Sequence, residues 1–166
     1  MNIAVIIPAG GSGERLGAKM PKALVQLGGK TLIEHAVAQM APIADQIVVA
    51  APAGYEDQFR SLLGTEVTVV TGGITRTESV KAGLTVLSKD LSFVLVHDAA
   101  RPLASADLAR RIIKELEAGA DAVIPGLKVA DTIKRVNIDG FVTKTPNRTK
   151  LRAIQTPQGF TYETLV

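Results

Sequence analysis

Short runs of apolar residues rich in Val and Ile recur along the chain, at Ile3 to Ile7, Gln46 to Ala51, Val67 to Val70, Phe93 to Val96 and Ala122 to Ile124. Runs that stay apolar, rather than alternating with polar positions, suit strands covered on both faces of a parallel sheet. Between them lie segments at helical spacing. Leu108, Ile112, Ile113 and Leu116 share one helical face, with Arg110, Arg111, Lys114 and Glu115 opposite. Thr31 with Glu34, and Thr75 with Glu78, have the spacing of capping boxes, so helices are predicted to start near both. The alternation of strand and helix predicts an α/β fold, a three-layer sandwich around a mainly parallel sheet.

The pattern breaks after Val129. The following stretch is polar and rich in Thr and Lys, with Asp139-Gly140 between Thr132–Val136 and Phe141–Thr145. An Asp-Gly pair between two such runs predicts a β-hairpin. A hairpin this polar is not core, and the reading is of an arm over residues 130–154 that projects from a single domain spanning 1–166 and packs on a partner subunit.

Composition narrows the chemistry. A chain of 166 residues is the size of one ordinary domain. It has no cysteine, which excludes disulfides and thiolate metal sites and leaves oxygen and nitrogen groups for any catalysis. The opening MNIAVIIPAGG lacks a basic leader, and no apolar stretch approaches the roughly 20 residues of a membrane helix. The expectation is a cytoplasmic protein with no membrane partner. Net charge is +3, from 19 basic and 16 acidic residues with no long basic block, which favours small phosphorylated ligands over nucleic acid.

The segment Pro8-Ala9-Gly10-Gly11-Ser12-Gly13-Glu14-Arg15-Leu16 follows the first strand, at the sheet edge where open α/β folds bind ligands. Glycines there let backbone N–H groups approach a phosphate. A dinucleotide fingerprint starting at Gly11 fails at Leu16, and a P-loop fails because Gly17 is followed by Ala18. A merely tight turn remains the plain alternative. Arg15, Lys19 and Lys22 surround the loop, and cations fixed there would stabilise charge developing on a triphosphate attacked at its α-phosphorus. Lys19 reads equally well as a solvated side chain.

A first strand ending in P-A-G-G-S-G-x-R and followed by P-K resembles the sugar-nucleotide and cytidylyl transferases. Four further motifs follow: Gly72-Gly73-Ile74-Thr75-Arg76-Thr77-Glu78-Ser79-Val80, Val96-His97-Asp98-Ala99-Ala100-Arg101-Pro102, Asp131-Thr132-Ile133-Lys134 and Gln155-Thr156-Pro157-Gln158-Gly159-Phe160. Their order resembles the 2-C-methyl-D-erythritol 4-phosphate cytidylyltransferases over essentially the whole chain. The resemblance implies a Rossmann-like nucleotidyltransferase fold and a Mg²⁺-assisted enzyme of isoprenoid biosynthesis. It would join CTP to a polyol phosphate and release pyrophosphate by in-line attack, with no covalent intermediate.

The same resemblance implies the roles of individual residues. Pro8 to Gly13 (Pro8, Ala9, Gly10, Gly11, Ser12, Gly13) would hold the nucleotide, and Arg15 and Lys22 would be the catalytic cations. Gly73, Ile74 and Ser79 would read cytosine while Arg76 braces their loop; from the sequence alone Ser79 is equally a helix-start hydroxyl. Asp98 would hold Mg²⁺ and contact substrate hydroxyls. Arg101 and Thr156 would bind the methylerythritol moiety, and Thr132 and Arg148 would reach the substrate phosphate of the other subunit, which makes the enzyme a homodimer through the arm. His97 reads as a satisfied structural histidine, because an ionised phosphate needs no base, and His35 reads as packing. Gly10 and Leu16 stand where the family often has alanine and methionine, and the family continues beyond the equivalent of Val166 through elements that include a substrate-binding lysine. The C-terminal end of the family domain is thus expected to be missing. The alternatives are a ribitol 5-phosphate cytidylyltransferase, a uridylyl- or guanylyltransferase, which the Gly73 to Ser79 segment disfavours, and a non-catalytic nucleotide-binding module.

Overall fold

Strand pairing in the computed structural model, which describes residues 2–11 and 20–166, follows the apolar runs closely at first. Strands β1 (Ile3–Pro8), β4 (Gln46–Ala51), β5 (Val67–Thr71) and β6 (Phe93–Val96) lie side by side in the order β5-β4-β1-β6, all parallel. Alternate residues of β1 face opposite ways, and both ways are buried. Ile3, Val5 and Ile7 pack with Ile33, Ala36 and Met40 of α1 (Leu32–Met40), Phe59 of α2 (Glu56–Leu63) and Ile112, Ile113 and Leu116 of α4 (Ala106–Glu117). Ala4 and Ile6 face a second cluster, against which Val80 and Leu84 of α3 (Arg76–Leu84) and Tyr162 and Leu165 of α5 (Tyr162–Leu165) pack. Three layers result, as the alternating pattern predicts.

Both capping boxes form. Thr31 and Thr75 accept from the backbone N–H groups of Glu34 and Glu78, whose carboxylates bond back to the cap residues. Those hydrogen bonds hold both glutamate carboxyls below their ordinary range. A small hairpin of β2 (Gln26–Leu27) and β3 (Lys30–Thr31) leads into α1, and His35 donates to the Leu27 carbonyl at 2.7 Å. The half-buried His35 therefore ties the helix to this hairpin in addition to packing.

Beyond β6 the pattern misleads. Ala122 to Ile124 is expected as a buried parallel strand; β7 (Ala122–Val123) is instead a short, largely exposed edge strand. It pairs with β12 (Gln158–Thr161), which runs antiparallel to both β6 and β7 and separates them. Polar Gln158 and Thr161 at its ends hide β12 from an apolar search, and it is Gly159 that admits α4. A Cβ there would lie 2.4 Å from Ile112 Cγ2.

The stretch after β7 leaves the sheet. At its base β8 (Gly126–Lys128) pairs antiparallel with β11 (Arg152–Ile154), and further out β9 (Arg135–Val136) pairs with β10 (Val142–Lys144). The expected turn is present but wider: Asn137 Oδ1 accepts from the amides of Asp139 and Phe141, and Gly140 takes the left-handed φ of 84°. Between 130 and 154 only Pro146 and Leu151 are even partly covered.

Candidate active site

The ends of β1, β5 and β6 open into one cleft of about 390 Å³ at the carboxyl edge of the sheet. Its first wall is Pro8 to Gly11. Ala9 is fixed by its amide to the Ala50 carbonyl at 2.9 Å, and the Lys22 amide donates to the Gly11 carbonyl at 2.9 Å. That bond returns the chain to the loop and sets Lys22 in the cleft wall, on a 3₁₀ turn anchored by buried Ala23 and Leu24. A Cβ on Gly10 would meet nothing closer than 3.7 Å, so the alanine common in the family fits there. Ser12, Gly13, Arg15 and Lys19 lie outside the described residues.

The second wall is the loop before α3. Ser79, 2% exposed, accepts from the Gly73 amide at 3.2 Å and donates to the Thr75 carbonyl at 3.0 Å. The hydroxyl thus shapes the loop from below. Gly73 comes so close to the helix that a Cβ would sit 2.1 Å from Glu78 Cβ. Ile74 stands fully exposed at the lip, and Gly73, Thr75 and Arg76 line the cleft beside it.

The third wall, Asp98 to Ala100, carries the single carboxylate lining the cleft among the described residues. Arg76 reaches it across the cleft, Nε to Asp98 Oδ1 at 2.9 Å, and donates from Nη2 to Gln158 at 3.2 Å. Arg101 lies on the other side, Nε 3.7 Å from Asp98 Oδ2, with its guanidinium bonded to the Gln155 side chain and the Ile154 carbonyl. Thr156, 4% exposed, accepts from the Asp98 amide at 3.1 Å. One network therefore joins the start of α3, the end of β6 and the turn into β12. Gln155 and Gln158 are the members that sequence reasoning missed; two glutamines flanking a Thr-Pro just before a strand were the available signal.

His97 is fully buried, as a structural histidine would be, with Nδ1 3.1 Å from Thr156 Oγ1; among the described residues Nε2 has no hydrogen-bond partner of good geometry. Burial pushes its imidazole down to about 4, against the opposing pull of the Asp98 carboxylate and of a hydrogen bond to the Arg101 backbone, so it is neutral at pH 7. Thr132 and Arg148 stand apart from the cleft, exposed on the arm, where Arg148 Nη1 donates to the Ala130 carbonyl at 2.6 Å.

A cleft at the carboxyl edge of an open α/β sheet, with a glycine loop, a lysine anchored beside it and a capped second loop opposite, defines the molecule as a nucleotidyltransferase. The comparisons narrow the class. The family model for 2-C-methyl-D-erythritol 4-phosphate cytidylyltransferase matches residues 3–166. The enzymes of that name from Rhodococcus jostii and Rhodococcus opacus are 50% and 51% identical over 165 residues, covering 98% of this chain and 73% of each relative. Among solved structures, the 4-diphosphocytidyl-2C-methyl-D-erythritol synthase of Anaerococcus prevotii superposes with a TM-score of 0.83 at 32% identity, over 98% of this chain and 72% of that one. The Thermus thermophilus cytidylyltransferase gives 0.78 at 36% identity over the same shares. The chain belongs to the 2-C-methyl-D-erythritol 4-phosphate cytidylyltransferase family.

Proposed function

We propose that this cleft joins CTP to 2-C-methyl-D-erythritol 4-phosphate, giving 4-diphosphocytidyl-2-C-methyl-D-erythritol and pyrophosphate. A phosphate oxygen of the polyol phosphate attacks the α-phosphorus in line as the bond to the β-phosphate bridge oxygen breaks. The electron pair leaves with pyrophosphate, and no proton moves because the nucleophile is already ionised. The observation that carries this reading is the placement of Lys22 against the glycine loop and opposite the Ser79-braced loop. The triphosphate would lie along Pro8 to Gly13 with its developing charge met by Lys22 and Arg15, and cytosine would lie against Gly73, Ile74 and the backbone that Ser79 holds. Arg101 and Thr156 would take the methylerythritol moiety, and Arg76 would hold Asp98 in place.

Mg²⁺ fits this donor set. No group of three His, Cys, Asp or Glu side chains gathers among the described residues, so a cation beside Asp98 would draw its other ligands from phosphate oxygens and water, as this hard ion does. When bound it would neutralise the triphosphate and orient the reacting groups. The arm is read as the dimer element. Ile138, Phe141 and Val142 are exposed on it, and Thr132 and Arg148 would complete the partner's cleft at the substrate phosphate. No helix of the described residues is long and apolar enough to cross a membrane, and with neutral-to-basic charge spread along the chain the reading is of a cytoplasmic homodimer without a nucleic-acid partner.

The test is pyrophosphate release by the full-length protein with CTP and either 2-C-methyl-D-erythritol 4-phosphate or ribitol 5-phosphate. Release with the first alone is expected. Preference for ribitol 5-phosphate would transfer the reading to that substrate, and CTP binding without turnover would reduce the protein to a nucleotide-binding module.

A further inference from the structure

A guanidinium presents Nε–H and one N–H of Nη2 along a single edge, and that edge is a fork with which arginine grips both oxygens of a carboxylate. At Arg76 the fork is divided. Nε donates to Asp98 Oδ1 at 2.9 Å, while Nη2 donates to Gln158 Oε1 at 3.2 Å. The orientation of the Gln158 amide follows from its partner, because an arginine can only donate and must therefore meet the oxygen. Asp98 Oδ2 accepts no hydrogen bond among the described residues; Arg101 Nε stands 3.7 Å from it, beyond hydrogen-bonding reach. Arg76 and Asp98 both line the cleft. Gln158 reaches them because β12 runs beside β6: it pairs with Val96, just before His97 and Asp98, and its neighbour Gly159 packs closely on Ile112 of α4.

We propose that Gln158 is a positioning residue for Asp98: by taking the Nη2 half of the Arg76 fork it stops the guanidinium from gripping both carboxylate oxygens, and it leaves Oδ2 open to a divalent cation that enters with the nucleotide. With no oxygen at position 158, the Nη2–H turns to Oδ2, the bidentate pair that arginine and carboxylate readily form closes, and both oxygens are spent on one side chain. Gln158 itself touches neither nucleotide nor cation. The proposal rests on the reading of Asp98 as the cation's carboxylate, and its test separates the two.

The readout is the factor by which Mg²⁺ tightens CTP binding: the dissociation constant in EDTA divided by that at saturating Mg²⁺, from calorimetric titration of the full-length protein, with thermal unfolding alongside. Gln158→Met, close in length but without an oxygen, is expected to cut this factor about tenfold, the lower end of what residues orienting a metal ligand contribute, and to leave the constant in EDTA little changed. Gln158→Glu keeps an oxygen for Nη2 and should keep the factor. Lysine has no fork, so in an Arg76→Lys background Gln158→Met should cost nothing further. A loss that recurs undiminished in that background, or equal factors for Gln158→Met and Gln158→Glu, overturns the proposal. Asp98→Asn tests the reading beneath it. A factor that survives Asp98→Asn takes the cation away from Asp98 and both fall; a factor lost in Asp98→Asn but intact in Gln158→Met sinks the proposal alone. Should Gln158→Met fail to fold, Gln158→Asn takes its place, its oxygen one methylene short of Nη2, and a factor as high as that of Gln158→Glu refutes the mechanism.

Discussion

Lys22 is held at the cleft through its own backbone bond to Gly11 and through the burial of Ala23 and Leu24 beside it. A cation anchored this way stabilises charge appearing on a departing pyrophosphate without first having to be moved there. Lys22→Ala is expected to lower kcat roughly 10²- to 10³-fold, the loss seen when one preorganised donor is removed, with a smaller effect on CTP binding measured by titration. An intact kcat with weakened binding would limit Lys22 to the ground state. His97 yields a prediction of a different kind. Its folded value of about 4 lies below the ordinary 6.5, so as pH falls the unfolded chain takes up the proton first. Stability is therefore whole above pH 6.5 and is lost progressively towards pH 4, by about 3 kcal/mol at most. Urea unfolding at pH 7 and pH 4.5 should show that loss in the wild type and not in His97→Asn. Glu34 and Glu78, held low by their capping bonds, add losses of the same sign only further down, below their ordinary 4.5.

Among the elements, the loop before α3 and the loop after β1 both carry glycine pairs, yet their glycines do different things. At Gly73 any side chain collides with Glu78 at 2.1 Å, a backbone-linked atom of the capping box that cannot step aside without unwinding the start of α3. At Gly10 the space is open. Gly73→Ala is expected to destabilise the fold by about 1–3 kcal/mol, as overpacking does, and to weaken CTP binding, whereas Gly10→Ala should leave melting temperature and CTP affinity near wild type. Equal behaviour of the two in calorimetry would contradict the geometry. Both capping boxes, four of the strands and the hairpin turn were legible because each is encoded by neighbours within a few residues. Strand β12 was not. Gln158-Gly159-Phe160-Thr161 has no apolar periodicity, and its place between β6 and β7 is decided by backbone pairing with Val96 and Leu95, far away in the chain. The same distance hid the partners of the arginines: Arg76 and Gln158 are 82 residues apart, and Arg101 and Gln155 are 54.

For the whole molecule, the arm carries its functional expectation away from its own cleft. Thr132 and Arg148 are exposed on a segment whose strands, among the described residues, pair with each other, whereas Arg101 is wired into the cleft through Asp98 and Gln155. If the cleft is completed by a second copy related by a two-fold axis, Arg101→Ala and Arg148→Ala homodimers should each be poorly active, and mixed dimers should recover turnover. One site of each mixed dimer draws both intact arginines while the other carries both defects. Random mixing makes about half the dimers mixed, so roughly a quarter of wild-type activity should return on this counting argument. Co-refolded mixtures that remain dimeric and show only the average of the two parents would place both arginines in one subunit's site.

By itself the sequence determined the α/β class, the positions of the caps and the cleft residues on Pro8 to Gly11, Lys22, Gly73 to Ser79 and Asp98, because apolar runs, cap pairs and glycine loops act over short range. Only the tertiary structure decided that Ser79 is committed to its own loop, that Arg76 and Arg101 flank one carboxylate from opposite sides, and that His97 shares a single hydroxyl with the Asp98 amide. Whether a side chain is free to meet a ligand depends on which of its hydrogen-bonding positions the fold has already filled. Those partners come from β6, α3 and the turn into β12, which become neighbours only when the sheet closes around them.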